Sequence, residues 1–401
     1  MSYQRILYGY YWVQRKLSDV AEEVKGNDGR TNLPVLTISA AKGWMEQKER
    51  FSTVIAGTEL KNYTLLKQGQ LSYNHGNSKL AKYGTVFSLE SYPEALVPRV
   101  YHSFKVDGKA DSKFIEYMFA TKLPDRELGK LVSSGARMDG LLNINKSQFM
   151  GIRINVPALD EQTKISGLLA KLDDVIAANQ RKIDALKAQK SAYLERIFNQ
   201  KLRFAGFTEP WAQRKVGSLS NVLSASRVHR EDWRSEGVPF FRSSDVVSAF
   251  KGLKNETVYI DFELFKRLSE KSGKLEKGDI MITGGGSIGI PYKVPNDEPL
   301  YSKDADLIWV KNSSSFDSDY LFMYLQTAIF RDYLNGISHV GTIAHYTIEQ
   351  VKNTPVSIPS LDEQKQIGDF FQKLDNIIVA NQRKIDLLNQ QKAAYLQKMF
   401  I

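Results

Sequence analysis

The sequence contains one long segment twice, and this repeat constrains the fold more than any other feature. Residues 157–198 and 359–400 are identical at 24 of 42 aligned positions. A shorter match opens each half of the chain, where Trp12 and Trp211 each begin a Trp-x-Gln-Arg-Lys motif. Because each long segment follows a stretch of globular size, the repeat predicts a chain in the order globule, rod, globule, rod.

The repeated segments have the apolar spacing of a coiled coil. Ten positions in each are separated by alternating steps of four and three residues, which is the seam of a heptad repeat. The seam of the first segment consists of Ile165, Leu169, Leu172, Ile176, Asn179, Ile183, Leu186, Lys190, Tyr193 and Ile197. The seam of the second consists of Ile367, Phe371, Leu374, Ile378, Asn381, Ile385, Leu388, Lys392, Tyr395 and Met399. We expect each helix to begin after a proline, with Asp160 or Asp362 as its N-cap.

The two rods are expected to pair antiparallel within one chain. The first helix carries the chain roughly 60 Å from the first globule, at about 1.5 Å per residue. A second helix of equal length packs most simply by running back. Asn179 and Asn381 then come close together at mid-helix, where a buried polar pair would fix the register. The alternative is two helices that are solvated or that pair with other molecules.

The composition is that of an intracellular protein with two separate cores. The 401 residues suffice for two cores of roughly 150 residues each. The predicted domains are residues 1–156 and 200–358, and the predicted spacer helices are residues 157–199 and 359–401. No apolar run approaches the roughly 20 residues of a membrane span, and the N-terminus does not resemble a signal peptide. The absence of Cys excludes disulfides and thiolate catalysis, and we expect a cytoplasmic protein that does not bind a membrane.

The globular segments have the pattern of mixed α/β modules. Strand-like runs at residues 34–38, 279–283 and 307–310 lie among turns rich in Gly, Asn, Ser and Asp. Residues 67–71 and 276–280 share a pattern that leads from a turn into a strand. Residues 1–156 carry 22 basic and 15 acidic side chains, or +7 of the net charge of +10, and this excess favours a polyanionic partner. Because the sequences of the two globular segments differ far more than those of the two repeated helices, we expect the globular segments to recognise different targets.

This combination resembles the specificity subunit of a Type I restriction and modification system. The resemblance is carried by the Pro-x-Leu-Asp-Glu-Gln entry to each rod, by its Ile-Asp-x-Leu, Gln-Lys and Ala-Tyr-Leu positions, and by the twin Trp-x-Gln-Arg-Lys openings. It covers nearly the whole chain. One departure is that the second half is entered through residues 202–211, whereas the first half has only a shortened variant at residues 6–12.

The resemblance implies two target-recognition domains, each reading one half of a bipartite sequence in double-stranded DNA. It also implies that the paired helices act as a spacer and dock two adenine methyltransferase subunits, to which nuclease/translocase subunits can add. The chain itself would then be non-catalytic and bind no cofactor, with S-adenosylmethionine, ATP and Mg on the partner subunits. Two alternatives remain open: a pseudo-dimeric DNA-binding regulator without enzymatic partners, and a coiled-coil scaffold without a DNA role.

The search for catalytic motifs agrees with a non-enzymatic chain. Residues 284–289 match Gly-x-Gly-x-x-Gly, but Pro291 and Pro295 interrupt the helix that a dinucleotide site needs. A glycine-rich turn near DNA, or simply a loop, fits better. There is no P-loop motif, and the five His residues lack zinc-binding spacing, which leaves ordinary surface or hydrogen-bonded imidazoles.

Several loop residues are candidates for DNA contact. Arg can pair with guanine and Asn with adenine, while Lys and Ser commonly hold phosphates. The candidates in the first module are Tyr73, Asn74, Asn77, Lys79, Lys82 and Arg137. Those in the second are Arg242, Ser243, Ser244, Thr283, Ser287, His339 and Thr342. For each of them the alternative is a solvated loop side chain.

Overall fold

The chain folds into two compact units, and two long helices each contribute to both. The computed structural model describes residues 11–52, 57–132, 140–302, 306–337 and 345–400. The first unit consists of residues 1–180 and 384–401, and the second of residues 181–383. Each unit therefore contains one globular module, part of the helix that follows it, and part of the other long helix.

The first module is a mixed α/β structure of short elements. Its strands are β1 (Val13–Lys16), β2 (Ala21–Glu23), β3 (Leu36–Ser39), β4 (Gly43–Glu46), β5 (Thr64–Lys67), β6 (Leu71–Asn74), β7 (Thr85–Ser88), β8 (Glu94–Val97), β9 (His102–Val106) and β10 (Arg153–Val156). Its helices are α1 (Gln47–Phe51), α2 (Ser112–Ala120), α3 (Asp125–Leu131) and α4 (Lys146–Met150), with 3-10 turns at Leu17–Asp19 and Gly57–Asn62. The long helix α5 (Leu159–Phe198) follows.

The second module has the same kind of composition. Its strands are β11 (Ala212–Lys215), β12 (Val222–Leu223), β13 (Val238–Phe241), β14 (Val258–Ile260), β15 (Ile280–Thr283), β16 (Pro291–Lys293), β17 (Tyr301–Ser302), β18 (Leu307–Val310) and β19 (Pro355–Ile358). Its helices are α6 (Val216–Leu219), α7 (Ser243–Phe250), α8 (Phe262–Ser272), α9 (Ser318–Tyr324), α10 (Ala328–Ile337) and α11 (Ile348–Asn353), with a 3-10 turn at Arg230–Asp232. The second long helix is α12 (Leu361–Met399).

The two modules share one sheet plan. An antiparallel four-stranded sheet has the order β2-β9-β6-β7 in the first module and β12-β18-β15-β16 in the second. β6 and β15 occupy the same place, and each begins two residues after a glycine with positive φ, Gly69 at 78° and Gly278 at 88°. The predicted turn-to-strand pattern is therefore confirmed. The remaining strands form small sheets: β1-β10, β3-β4 and β5-β8 in the first module, and β11-β19 and β14-β13-β17 in the second.

Each module is closed by its own first and last strands. β1 runs antiparallel to β10, with Val13 opposite Val156. β11 runs antiparallel to β19, with Ala212 opposite Ile358. The Trp-x-Gln-Arg-Lys openings are thus the strands that pair with the strand just before each long helix. Both ends of a module consequently lie together where its helix begins.

The far end of each long helix packs into the core of the unit in which it ends. In the first unit, Phe400 after α12 stacks on Phe114 with ring centres 5.0 Å apart. In the second, Phe198 at the end of α5 packs on Tyr320 with ring centres 5.1 Å apart. The two Phe residues are 202 positions apart, the offset of the repeat. Both buried aromatic groups add a large apolar area to the module core.

The long helices pair antiparallel in both units. In the first unit, Lys392 Nζ lies 2.5 Å from Asp173 Oδ1. In the second, Lys190 Nζ lies 2.7 Å from Asp375 Oδ1. The residue number rises along α5 as it falls along α12, and every seam position of both helices is buried or half-buried. The predicted fold class, two α/β modules with an antiparallel coiled coil and internal pseudo-two-fold symmetry, is confirmed.

The helix starts differ slightly from prediction. α5 and α12 begin at Leu159 and Leu361, so Asp160 and Asp362 lie within the first turn and are not the N-caps. In α12, Ser360 Oγ accepts the backbone N–H of Glu363 at 3.3 Å. The hydroxyl of Ser360 therefore caps α12 in place of Asp362. Both aspartates still complement the positive end of the helix dipole.

The mid-helix asparagines bond to their own helices. The side-chain amide of Asn179 donates to the Val175 carbonyl, and that of Asn381 donates to the Ile377 carbonyl, both at 2.7 Å. Each side chain is half-buried. Mutual pairing of the two asparagines stays a prediction.

In the described part of the chain, no helix is long and apolar enough to cross a membrane.

Candidate functional site

In the first unit, the candidates that face solvent lie in residues 76–82, the loop that connects β6 to β7. Asn77, Lys79 and Lys82 are exposed. The backbone N–H of Asn77 donates to the Gly140 carbonyl at 3.0 Å, which fixes the start of the loop. The loop therefore presents one amide and two ammonium groups from a fixed base, a combination suited to base and phosphate contacts.

A buried histidine anchors this loop to the module. His75 is 6% exposed, and its Nδ1 and Nε2 lie 2.8 Å and 2.9 Å from the carbonyl oxygens of Leu142 and Val100. Its ring stacks on that of His102, with centres 4.7 Å apart. Burial lowers the pKa of His102 to about 4, so this ring is neutral near pH 7. Both imidazoles are structural, and the described residues contain no group of carboxylates and imidazoles that could hold a metal ion.

Two candidates of the first module have structural roles. Tyr73 is fully buried, its ring stacks on Phe149 with centres 4.3 Å apart, and burial raises the pKa of its hydroxyl. Asn74 is half-buried, its amide nitrogen donates to the Ile38 carbonyl at 3.2 Å, and its amide oxygen accepts the Gly76 N–H at 3.1 Å. The prediction that Tyr73 contacts DNA is wrong for this arrangement because the ring belongs to the core. Asn74 shapes the turn that begins the exposed loop.

In the second unit, Arg242 is engaged by the protein itself. Its Nε donates to Asp245 Oδ2 at 2.8 Å, and its Nη2 donates to Asp245 Oδ1 at 3.2 Å and to the Glu256 carbonyl at 2.9 Å. Its guanidinium also lies 5.4 Å from the ring centre of Trp233. Asp245 is only 7% exposed, so Arg242 neutralises a buried carboxylate. Base reading by Arg242 stays a prediction, and these bonds show that the side chain also has a structural role.

The two serines after Arg242 differ in accessibility. Ser243 is half-buried, and its hydroxyl has no hydrogen-bond partner within the described ranges. Ser244 is exposed, and its hydroxyl accepts a long hydrogen bond of 3.4 Å from the Asn255 amide. Contact of either serine with a phosphate stays a prediction, and Ser244 is the one that solvent reaches.

The glycine-rich residues 284–289 connect two strands rather than a strand and a helix. β15 and β16 are antiparallel, with Ile282 opposite Pro291. A Cβ on Gly284 would lie 2.6 Å from the backbone carbonyl oxygen of Tyr346, so the close approach of the two backbones requires glycine there. A pyrophosphate site needs a helix N-terminus after the glycines, and this hairpin supplies none.

Thr283 and Ser287 occupy the two sides of this hairpin. Thr283 is fully buried, its hydroxyl donates to the Ser287 carbonyl, and the hydroxyl oxygen accepts the Ile290 N–H at 2.9 Å. Thr283 therefore fixes the turn and does not face a partner, which contradicts its prediction as a DNA contact. Ser287 is exposed, and its contact with DNA stays a prediction.

Three candidates cannot be placed. Arg137, His339 and Thr342 lie outside the described residues, as do residues 133–137 and 338–342 around them. Their contacts with DNA stay predictions.

The sequence reasoning missed a basic group in the second module. Arg227, Arg230 and Arg234 are exposed, and the guanidinium of Arg230 lies 5.7 Å from the ring centre of Trp233. Arg234 is partly engaged, with its Nη2 3.7 Å from Asp261 Oδ2. The available signal was three arginines within eight residues beside a tryptophan, a mixture of cations and an aromatic ring that suits nucleic acids.

The first unit has one contact between module and helix that the described residues of the second unit do not repeat. Tyr117 of α2 donates its hydroxyl to Asp173 Oδ2 at 2.7 Å. Burial raises the pKa of Tyr117, and the carboxylate of Asp173 raises it further. Lys392 Nζ lies 5.3 Å from the centre of the same ring. Asp173 therefore binds the first module and α12 at once.

The long helices also expose apolar side chains at matching positions of the repeat. Leu159 and Leu361 are 42% and 41% exposed, and Val175 and Ile377 are 41% and 43% exposed. These two pairs give each helix one apolar patch at equivalent positions, and α12 exposes Val379 and Leu387 in addition.

Two modules with one sheet plan and different loops, each followed by a copy of the same long helix, define a protein built by internal duplication. A family model for the Type I restriction modification DNA specificity domain matches the chain twice, at residues 11–188 and 208–390. The chain therefore belongs to the Type I restriction modification DNA specificity family.

Several curated proteins are similar to this chain. The Type I restriction enzyme MjaVIII specificity subunit of Methanocaldococcus jannaschii is 23% identical over 279 residues, 65% of this chain and 64% of that protein. The putative type I restriction enzyme specificity subunit S.HindORF215P of Haemophilus influenzae is 26% identical over 244 residues, 58% of each chain. These two alignments span less than two thirds of the relatives. The putative MjaX specificity subunit of M. jannaschii is 21% identical over 422 residues, 95% of this chain and 91% of that protein.

Solved structures show the same fold. The Type-I restriction-modification system S subunit from M. genitalium matches 99% of this chain and 98% of its own length, with a TM-score of 0.64 and 15% identity. A chain from a study of complex assembly and conformational transition of the type I R-M system matches 98% of each chain, with a TM-score of 0.54 and 14% identity. At these identities the similarity is one of fold.

Proposed function

We propose that each globular module reads one half of a bipartite sequence in double-stranded DNA, and that the paired helices set the gap between the halves. The main supporting observation is the contrast between scaffold and loops. Both modules have the same four-stranded sheet order and the same closing strand pair. At corresponding places the first module has the exposed loop 76–82, and the second has the glycine-rich hairpin 284–289. Two modules that share one scaffold but bind different DNA sequences would have this combination of equal sheets and unequal loops.

The exposed polar groups suit a DNA partner. Lys79 and Lys82 in the first module and Arg230 in the second are solvent-facing cations next to polar loops. Cations of this kind neutralise phosphates and orient the protein on the duplex, while amides and guanidinium groups read base edges. Asn77 is the exposed amide of the first module that fits base reading.

The long helices would dock two copies of one partner, which we take to be an adenine methyltransferase subunit. The matched exposed pairs, Leu159 with Leu361 and Val175 with Ile377, place one apolar patch at the same positions of each helix. An internal two-fold repeat favours two identical partners, because equal surfaces bind equal molecules. Nuclease/translocase subunits would add to the methyltransferase subunits.

On this proposal the chain selects the sequence and its partners do the chemistry. S-adenosylmethionine would bind the methyltransferase subunits, and ATP and Mg the nuclease/translocase subunits. The assembled complex would be an adenine DNA methyltransferase and an ATP-dependent site-specific deoxyribonuclease. The chain itself would be non-catalytic.

Copurification followed by methylome sequencing tests the proposal. We expect two methyltransferase subunits per chain and methylated adenines in a sequence of two specified halves separated by an unspecified gap. A footprint by the chain alone, without enzymatic partners, would support a regulator instead. Failure to bind DNA in a salt-dependent way would support a scaffold without a DNA role.

A further inference from the structure

The loop 76–82 of the first module contains a tight turn closed by Ser78 and Ala81. The backbone N–H of Ser78 donates to the Ala81 carbonyl, and the N–H of Ala81 donates to the Ser78 carbonyl, both at 3.2 Å. The Ser78 hydroxyl also accepts the Ala81 N–H, at 3.1 Å. Ala81 is 2% exposed and attaches the turn to the module. Lys79 and Leu80 lie between these anchors, so a fixed backbone carries both side chains.

The apolar side chain of this turn, Leu80, is open to solvent. It is 66% exposed, and among the large apolar side chains of the described residues only that of Tyr11 is more exposed. Single exposed leucines are common on protein surfaces, but this one lies between two exposed lysines, Lys79 and Lys82. The ammonium group of Lys82 lies 5.3 Å from the centre of the Tyr83 ring, which holds it beside the turn. The turn therefore combines an apolar side chain with cations that suit phosphates.

The corresponding hairpin of the second module, residues 284–289, presents no such side chain. Ser287 is exposed but polar. Ile288 is the one large apolar residue of this hairpin, and it is half-buried against the core of the second unit. The Ile288 carbonyl also accepts a hydrogen bond from Arg331 Nη1 at 3.1 Å. An apolar contact with a partner is therefore expected from the loop of the first module and not from this hairpin.

We propose that Leu80 inserts between two neighbouring base pairs of the first half-site, while Lys79 and Lys82 bind nearby phosphates. The inference rests on the proposed function and adds to it a residue that deforms the DNA. Leucine has no hydrogen-bonding group in its side chain, so its favourable contacts in a duplex are with apolar surface, which the faces of the bases supply. Leucine is one of the apolar side chains that partly unstack a base step when they enter a groove. A fixed turn suits this role because little conformational entropy is lost on insertion.

The adenine analogue 2-aminopurine, which fluoresces more strongly when it is unstacked, tests the insertion. The analogue replaces, one at a time, each adenine in and beside the first half-site, except the methylated adenine, which the methyltransferase itself would remove from the stack. Each duplex is saturated with the chain in complex with its methyltransferase subunits. We expect the fluorescence to rise several-fold at one position with the native chain. Leu80→Ala should abolish the rise, and Leu80→Met, which keeps a long apolar side chain, should retain it.

Leu253→Ala is the matched control, because Leu253 of the second module is 62% exposed. It should leave the fluorescence at the first half-site unchanged, and Leu80→Ala should not alter the signal of 2-aminopurine in the second half-site. If the native complex binds these duplexes without a rise at any position, or if the rise survives Leu80→Ala, the insertion is refuted and the proposed function stands. A complex that binds none of the duplexes would refute the proposed function and the insertion together.

Discussion

Two arginines near the ring of Trp233 show that residue type alone does not predict how a side chain is engaged. Arg242 is bonded to the buried carboxylate of Asp245 and to a backbone carbonyl, whereas Arg230 is exposed. The sequence singled out Arg242 and passed over Arg230. The distinction depends on burial and on Asn255, ten positions from Asp245 along the chain, which donates to the same carboxylate at 2.7 Å. Neither can be read from local sequence.

Replacing Arg242 should therefore mainly destabilise the second module. Arg242→Ala leaves Asp245 buried without its cation, which we expect to lower the free energy of unfolding by about 1–3 kcal/mol. Arg230→Ala is the control on the other guanidinium near Trp233 and should change this free energy by less than about 0.5 kcal/mol while weakening DNA binding. Urea unfolding of both variants is the measurement. Equal losses of stability would show that Arg242 has no special structural role.

Removing the two exposed lysines of loop 76–82 should weaken DNA binding without unfolding the module. Lys79→Ala with Lys82→Ala removes two proposed phosphate contacts, so the slope of log Kobs against log salt should decrease by about 1.8. The control is Lys25→Ala with Lys109→Ala, which removes the same charge from residues paired with nearby carboxylates. Arg137→Ala, at a position outside the described ranges, should weaken methylation through the same half-site. An unchanged slope in the Lys79 and Lys82 variant would contradict a DNA face at this loop.

At the scale of elements, the long helices were the most predictable part of the fold. Their seam repeats every 3.5 residues, so burial is encoded locally, and α5 and α12 follow the predicted segments closely. The strand-like runs at 34–38, 279–283 and 307–310 became β3, β15 and β18. The candidate site was less predictable. Tyr73 and Thr283 lie in or at the end of a strand and have polar groups, but packing from distant segments buries both.

The equivalent aspartates of the helix pair should differ in importance. Asp173 accepts hydrogen bonds from both Lys392 and Tyr117, whereas Asp375 is bonded to Lys190. We expect Asp173→Asn to lower the free energy of unfolding by about 1 kcal/mol more than Asp375→Asn, the contribution of one further hydrogen bond. Chemical unfolding of the two variants is the measurement. A larger loss from Asp375→Asn would contradict the assigned role of Tyr117.

Exchange of the second module should change one half-site only. β11 and β19 pair with each other. A module that replaces the segment between Trp211 and Pro359 is therefore connected to the rest of the chain at two neighbouring points beside α12. A module of the same type should therefore fold on this scaffold and read its own sequence. Methylome sequencing should show a new second half-site with the first unchanged. A change in both half-sites would show that the modules do not read independently.

At the scale of the whole molecule, we propose that the paired helices set the distance between the two half-sites. The ion pairs Asp173–Lys392 and Lys190–Asp375 use equivalent residues of the repeat. An insertion in one helix therefore keeps the helices in register only if the other helix receives an equal insertion at the equivalent position. A heptad added to both helices, after Gln180 and after Gln382, preserves the seam. A heptad added to one helix alone leaves an unmatched pair of turns and should lower stability.

The gap length of the doubly extended variant tests the central claim most directly. Seven residues add about 10.5 Å of helix, which corresponds to about three base pairs at roughly 3.4 Å each, with only a modest rotation of one module. Methylome sequencing should show both half-sites unchanged and a gap about three base pairs longer. An unchanged gap at full activity would mean that the helices do not set the spacing and would contradict the account.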